Sequence, residues 1–180
     1  MKKFTTLVTI IVSLSTSAAS ASELISLKDY LKQELSSSPK MAKEVFKVEG
    51  ADKGKLAKLA PSAQDTSFTF YYGKSATGGI EKACTVVPQE GKEGLITVGV
   101  CYDVNGVVTA VTILTSEEER GKKITEQSFL KQFKGKKVTD AFQLNTDVDG
   151  ISGATWSSKA VAEALRKTSF AFKTYVGGKK

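Results

Sequence analysis

Histidine is absent from the 180-residue chain. A sequence without imidazole has no Ser-His-Asp triad, no Cys-His pair and no histidine metal ligand, so these catalytic and metal-binding classes are excluded. Arginine is also scarce, with Arg120 and Arg166 as its two occurrences, and the formal net charge of +7 is therefore almost entirely due to lysine. Proteins that read nucleic acids favour arginine forks with interleaved aromatic side chains. We expect a solvated lysine surface and no nucleic-acid partner.

Long apolar runs are missing as well. The run in the N-terminal segment MKKFTTLVTIIVSLSTSAASA extends from Phe4 to Leu14, whereas a membrane anchor needs about 20 apolar residues. Two lysines precede this run, and small residues ending in Ala19-Ser20-Ala21 follow it, which is the three-part layout of a secretory signal. We therefore predict a signal peptide over residues 1–21 and an exported protein, periplasmic or extracellular.

The remaining chain, residues 22–180, has the size of a single domain. Apolar residues at helical spacing occur in LISLKDYLKQEL, MAKEVFKV and DKGKLAKLA. These segments predict three short helices, which we interpret as a helical leader over residues 22–64. The core of the domain is then expected over residues 65–180.

From Asp65 onward the pattern changes to that of a sheet. The β-branched and aromatic runs SFTFYYG, GIEKACTVV, GLITVGVCYDV and GVVTAVTIL predict four antiparallel strands, and Asn105-Gly106 is a hairpin signal. ITEQSFLKQFKGKK predicts a short helix and VTDAFQLNTDVDG a loop. Apolar spacing from Val161 to Val176 predicts a long final helix closed by Gly177-Gly178, with a strand over 170–176 as the alternative. The expected fold class is α+β, an antiparallel sheet of about four strands with flanking helices and a long C-terminal helix.

The two cysteines, Cys84 and Cys101, lie equally far from a turn centred between Lys92 and Glu93. Directly opposed residues of a hairpin have Cα atoms about 4.5–5.5 Å apart, within reach of a disulfide. Export favours oxidation, so we expect a structural disulfide. Free thiols and a redox-active pair stay open as alternatives, although redox pairs usually have a close C-x-x-C spacing at a helix N-terminus.

Small and hydroxyl-bearing residues crowd DGISGATWSSKAV, residues 149–161, just before the long helix. They leave the helix amides uncovered, and such a terminus attracts anions through its unpaired N–H groups and the helix dipole. Ordinary capping by Ser152, Thr155 or Ser157 is the alternative. Capping does not explain Trp156, whose flat ring beside an anion site suits a ligand with a phosphate and an aromatic plane.

The segment DGISGATWSS resembles the flavinylation signature of the FMN-binding domain family, which reads Asp, two variable residues, Ser or Thr, Gly, Ala and an acceptor Thr. The matching residues are Asp149, Ser152, Gly153, Ala154 and Thr155. The likeness extends over the preceding strands and covers most of residues 22–180. The resemblance implies FMN joined to Thr155 by a phosphodiester bond, with Trp156 and Ser157 also at the cofactor site. It further implies a separate magnesium-dependent flavin transferase that uses FAD.

One segment departs from that family. Members usually have a Glu-Thr-Pro-Gly-hydrophobic-Gly turn after the strand that here ends near Leu114, whereas this chain has TSEEERGKKI. We interpret Glu119 and Gly121 as replacing part of the turn.

The resemblance leads us to expect an electron carrier or redox subunit rather than a stand-alone catalyst. Its redox partner is unidentified, and a membrane-bound protein is one candidate. Two other functions are considered. One is non-covalent binding of flavin or another phosphorylated ligand, and the other is a disulfide-stabilised structural or adhesion domain without a cofactor.

Overall fold

A computed structural model of the chain describes residues 22–119 and 121–179. Its strands are β1 (Ser22–Glu23), β2 (Lys40–Lys47), β3 (Ser67–Lys74), β4 (Ile80–Glu90), β5 (Leu95–Asp103) and β6 (Val108–Ser116). Its α-helices are α1 (Leu27–Leu35), α2 (Ala51–Leu59), α3 (Gln127–Leu130) and α4 (Thr155–Ala171). Short 3₁₀ turns cover Lys122–Thr125 and Lys131–Phe133, and a π-helical segment, Phe172–Val176, follows α4. The predicted signal peptide lies outside the described residues.

The strands form one antiparallel sheet in the order β1-β6-β5-β4-β3-β2. The α+β class and the four predicted strands, which are β3 to β6, are confirmed. The sheet is wider than the expected four strands because β1 and β2 extend its two edges. None of the helices within the described part of the chain has the length and apolar character needed to cross a bilayer.

Strand β2 is formed by a segment that was predicted to be helical, and that prediction is wrong. Ala42 and Phe46 are its half-buried side chains that pack on the core, and a spacing of four residues fits one face of a helix as well as one face of a strand. In the structure this segment forms a strand, because its backbone pairs with β3 along the whole length of that strand. Phe46 then packs edge-on against Phe70 and stacks on Tyr175, with ring centroids 6.2 and 5.2 Å apart.

The main core lies between one face of the sheet and α4. Val161, Ala164 and Leu165 are fully buried in it, as the predicted spacing requires. The long helix is thus confirmed, and the alternative of a strand over 170–176 is wrong because Phe172–Val176 is π-helical. The Gly177 amide donates to the Phe172 carbonyl at 2.7 Å and ends the helical segment, as predicted.

A smaller core on the opposite face of the sheet contains α1 and the two cysteines. Cys84 pairs directly with Cys101 in the β4–β5 register, their Cα atoms are 4.0 Å apart, and they form the expected disulfide. The Tyr30 hydroxyl lies 3.2 Å from the Cys101 Sγ. Cys84 and Cys101 are both fully buried. Their disulfide joins β4 to β5 beneath α1, on the face of the sheet away from α4.

Candidate flavin attachment site

Residues 149–154 of the segment that resembles the flavinylation signature form a loop that leads directly into α4. Gly153 has a φ of +79°, a left-handed conformation that disfavours residues with a Cβ, and it turns the chain into the helix. Thr155 is the first residue of α4, and its side chain is exposed. Ser152 and Gly153 are exposed as well. The Thr155 hydroxyl is therefore open to an incoming reactant.

The N-terminus of α4 has no side-chain cap. The N-cap residue is Ala154, and none of the described side chains makes a capping hydrogen bond there. The alternative of ordinary capping by Ser152, Thr155 or Ser157 is therefore wrong. The Ser158 hydroxyl accepts from the Ile151 amide at 3.0 Å and donates to the Ala154 carbonyl at 2.9 Å, which fixes the entry of the loop. The first-turn amides and the helix dipole stay available to an anion.

Ser157 is engaged elsewhere, by a buried carboxylate. Its hydroxyl donates to the Glu118 Oε2. Glu118 is 3% exposed, and its Oε1 accepts from the amides of Lys92 and Glu93 at 2.6 and 2.8 Å. Those amides belong to the turn between β4 and β5. Glu118 therefore ties the β4–β5 turn to the first turn of α4.

After β6 the chain passes close to the hydrogen bond between Ser157 and Glu118, and at Gly121 there is no room for a side chain. A Cβ at Gly121 would lie 2.3 Å from the Ser157 Oγ and 2.9 Å from the Glu118 Oε2. Gly121 thus lies at the site, as the sequence suggested. Glu119 does not lie there as expected, because its side chain is exposed while Glu118 takes the buried position. The Glu119 amide instead donates to the Glu93 carboxylate at 2.6 Å.

The side chain of Gln132 holds the backbone of Asp149, a contact that the sequence analysis did not predict. The Asp149 amide donates to the Gln132 Oε1 at 2.7 Å, and its carbonyl accepts from the Gln132 Nε2 at 3.2 Å. The Asp149 carboxylate is exposed and has no hydrogen-bond or ion-pair partner among residues 22–119 and 121–179. It is therefore available to a second protein.

Asp147 organises the loop before the motif. Its carboxylate accepts from the amides of Phe142 and Gln143 at 3.0 and 2.7 Å and lies 3.5 Å from the Lys136 Nζ. Burial alone would raise the pKa of Asp147, but the two amides and the Lys136 charge together lower it below its usual value. The contact supports a turn in which Phe142 has a φ of +46°.

Trp156 follows Thr155 in α4 and is 64% exposed. The Lys159 Nζ lies 5.8 Å from the ring centroid, at cation-π distance. A cavity of about 220 Å³ adjoins the ring, between the β4–β5 turn and the start of α4. It is lined by Lys92, Glu93, Glu118, Gly121, Gly153, Ala154, Thr155, Trp156 and Ser157.

The structure brings Thr155, Ser152, Gly153, Ala154 and Trp156 together at one helix terminus, with Ser157 beneath them and Asp149 at the edge. An exposed hydroxyl, an uncapped helix terminus and an exposed aromatic ring fit a ligand that has a phosphate and a planar ring system. FMN meets that description.

Comparison with known proteins agrees with this geometry. Residues 91–169 match the family described as FMN-binding domain. No curated protein matches the chain by sequence.

Seven chains of known structure match this chain, and two of them illustrate the shared fold. One is a subunit of the Na⁺-translocating NADH-quinone reductase from Parabacteroides distasonis, which is 20% identical and has a TM-score of 0.55, over 77% of this chain and 79% of that one. The other, NqrC of Shewanella oneidensis, is 14% identical with the same TM-score, over 82% and 84% of the two chains. At this identity the likeness concerns the fold alone. The segment of the family match contains Glu118 and residues 149–155, which resemble the flavinylation signature. The family match and the shared fold together support an FMN-binding domain similar to NqrC in this part of the chain.

Proposed function

We propose that the chain is an exported flavoprotein that carries FMN covalently on Thr155, through a phosphodiester bond, and serves as an electron-transfer module. The observation that supports this most directly is the exposed Thr155 hydroxyl on the first residue of an uncapped helix. An uncapped terminus favours the phosphodiester, which retains one negative charge.

The attachment reaction would use a separate, magnesium-dependent flavin transferase with FAD as donor. A bond forms between the Thr155 Oγ1 and the phosphorus of the FMN half of FAD, and the pyrophosphate P–O bond to AMP breaks. AMP leaves with the electron pair of that bond, and the hydroxyl proton is released. The free carboxylate of Asp149 and the exposed Ser152 lie where such an enzyme would contact the segment.

The residues around Thr155 then have separate tasks. The first-turn amides of α4 hold the phosphate, and Trp156 offers its exposed face to a planar ring. Glu118 keeps the β4–β5 turn against the helix through Ser157. Bound FMN supplies the redox chemistry, while the protein fixes its position and tunes its potential.

Electron transfer is also supported by the match of residues 91–169 to an FMN-binding domain, and one solved structure with the same fold is a subunit of an NADH-quinone reductase. In this proposal the chain exchanges electrons with an unidentified redox partner in a periplasmic or extracellular compartment. A membrane-bound partner fits the predicted export of the chain.

The test is in-gel flavin fluorescence of denatured protein made together with a flavin transferase. Thr155→Val should abolish the fluorescence, because it removes the hydroxyl and keeps the branched shape. The fold should be kept, since substitutions of exposed side chains usually change stability by less than about 0.5 kcal/mol. Thr174→Val is the matched control, because Thr174 is an exposed helical threonine at the far end of the chain.

Three outcomes separate the alternatives. Fluorescence of wild-type intensity in Thr155→Val would place the attachment on another residue. A wild type that binds FMN when folded and loses it on denaturation would be a non-covalent carrier. A colourless wild type would leave the structural or adhesion domain as the explanation.

A further inference from the structure

The small cavity at Thr155 continues into two larger ones along α4. A cavity of about 320 Å³ shares Trp156 with it. A third, of about 580 Å³, shares Ser62 and Glu90 with the second. We call the three together the trough. The trough therefore begins at the proposed attachment point and runs along the protein surface beside α4.

One wall of the trough is a single face of α4. Trp156, Lys159, Glu163 and Lys167 line it, at spacings of three and four residues. At a rise of about 1.5 Å per residue, Glu163 lies about 12 Å along the helix axis from Thr155. The trough is thus long enough to follow a ribityl chain and a ring system away from a phosphate held at Thr155.

Part of the opposite wall comes from outside the segment that matches the family, although Gly91, Gly94, Leu95 and Glu117 of that segment also line it. Pro61 and Ser62 follow α2, and Gln89 and Glu90 end β4. All four precede residue 91, where the family match begins. The N-terminal half of this chain consequently supplies part of the second wall of the trough.

The floor between the two larger cavities is polar. Ser62 Oγ donates to Glu163 Oε2 at 2.5 Å, and the Gln89 Nε2 donates to both residues, at 2.6 and 3.2 Å. Gln89 is 2% exposed, and its Oε1 is buried with no hydrogen-bond partner among the described residues. A buried acceptor of this kind costs free energy until a donor reaches it.

Resting on the proposed function, we propose that the trough holds the isoalloxazine ring of the FMN attached to Thr155. The pyrimidine edge of that ring has one N–H donor between two carbonyl acceptors. Gln89 offers the acceptor that lacks a donor, and Lys159 offers an ammonium group to a carbonyl. Trp156 flanks the entrance to the trough, so the N-terminal half of the chain completes a site that the family segment begins.

The charges along the trough make the proposal testable by redox potential. Lys159 and Glu90 are both exposed and line the middle cavity from opposite walls. Reduction adds negative charge to the ring, which a nearby cation stabilises and a nearby carboxylate opposes. Lys159→Gln should therefore lower the flavin midpoint potential, and Glu90→Gln should raise it.

Matched controls carry the same charge changes elsewhere. Lys173→Gln alters an exposed lysine beyond the end of α4, and Glu81→Gln alters an exposed glutamate near the other end of β4. Both should leave the midpoint potential unchanged. A shift in Lys159→Gln without one in Glu90→Gln would place the ring outside the trough, on Trp156 alone, and would overturn the proposal.

Acrylamide quenching of the flavin fluorescence gives a second readout. The quenching slope of the folded wild type should be several-fold lower than that of the urea-denatured chain, and equal slopes would contradict a ring held in the trough. In-gel fluorescence of each sample separates the two proposals. If the flavin is covalent but the midpoint potentials of Lys159→Gln and Glu90→Gln are unchanged, the trough proposal is wrong and the proposed function stands. If the wild type carries no flavin, both proposals are wrong.

Discussion

The contact between Glu118 and Ser157 should be strongly coupled, and a double-mutant cycle tests it. Glu118→Ala removes the acceptor of two turn amides and of the Ser157 hydroxyl, all in a buried position. Hydrogen bonds to a charged group contribute about 1.5–3 kcal/mol each, and their losses are not additive. We expect Glu118→Ala to lower the free energy of unfolding by about 4 kcal/mol and Ser157→Ala by about 2 kcal/mol.

The double variant should be little worse than Glu118→Ala, which gives a coupling energy of about 1.5–2 kcal/mol. Urea denaturation followed by circular dichroism measures all four proteins. Glu119→Ala is the control, because its side chain is exposed, and it should change stability by less than about 0.5 kcal/mol. A coupling energy near zero, or a larger loss in Glu119→Ala than in Glu118→Ala, would refute the role given to Glu118.

Three further predictions concern the rest of the chain. Replacing Cys84 and Cys101 by Ala should cost about 3 kcal/mol, because the disulfide closes a loop with a sequence separation of 17; unchanged thermal unfolding would contradict this. Asp147→Asn should cost about 1.5 kcal/mol at neutral pH. Since folding lowers the Asp147 pKa, that contribution is complete above the unfolded pKa of about 3.9 and is lost as the pH falls through the folded pKa, so the variant and the wild type should converge in acid. N-terminal sequencing of exported protein should begin at Ser22, and a start at Met1 in a membrane fraction would indicate an anchor.

The spacing of apolar residues and of the cysteines correctly predicted those helices and strands whose pattern fits only one kind of structure. The row from Val161 to Val176 fits a helix, and the mirror positions of Cys84 and Cys101 fit one hairpin register. The spacing of Ala42 and Phe46 fits both a helix and a strand, so β2 could be assigned only from its pairing with β3.

The supporting residues of the site were harder to predict. Residues 117–119 are three consecutive glutamates, and nothing local tells which one is buried. That choice depends on where β6 ends and on the close passage of Gly121. Gln132 reaches Asp149 across 17 residues of sequence, a contact that only the folded loop creates. The motif at Thr155, by contrast, could be recognised in the sequence, because its residues are consecutive, and the flavin attachment that it predicts stays a prediction.

The most direct test of the account is to locate the flavin on the chain by peptide mass spectrometry. Trypsin should release residues 138–159 as one peptide, since that segment has no internal lysine or arginine. Made with a flavin transferase, this peptide should gain the mass of FMN less one water, and its fragment ions should assign the addition to Thr155. The unmodified peptide alone, or an addition assigned to Ser152, Ser157 or another residue, would contradict covalent attachment at Thr155.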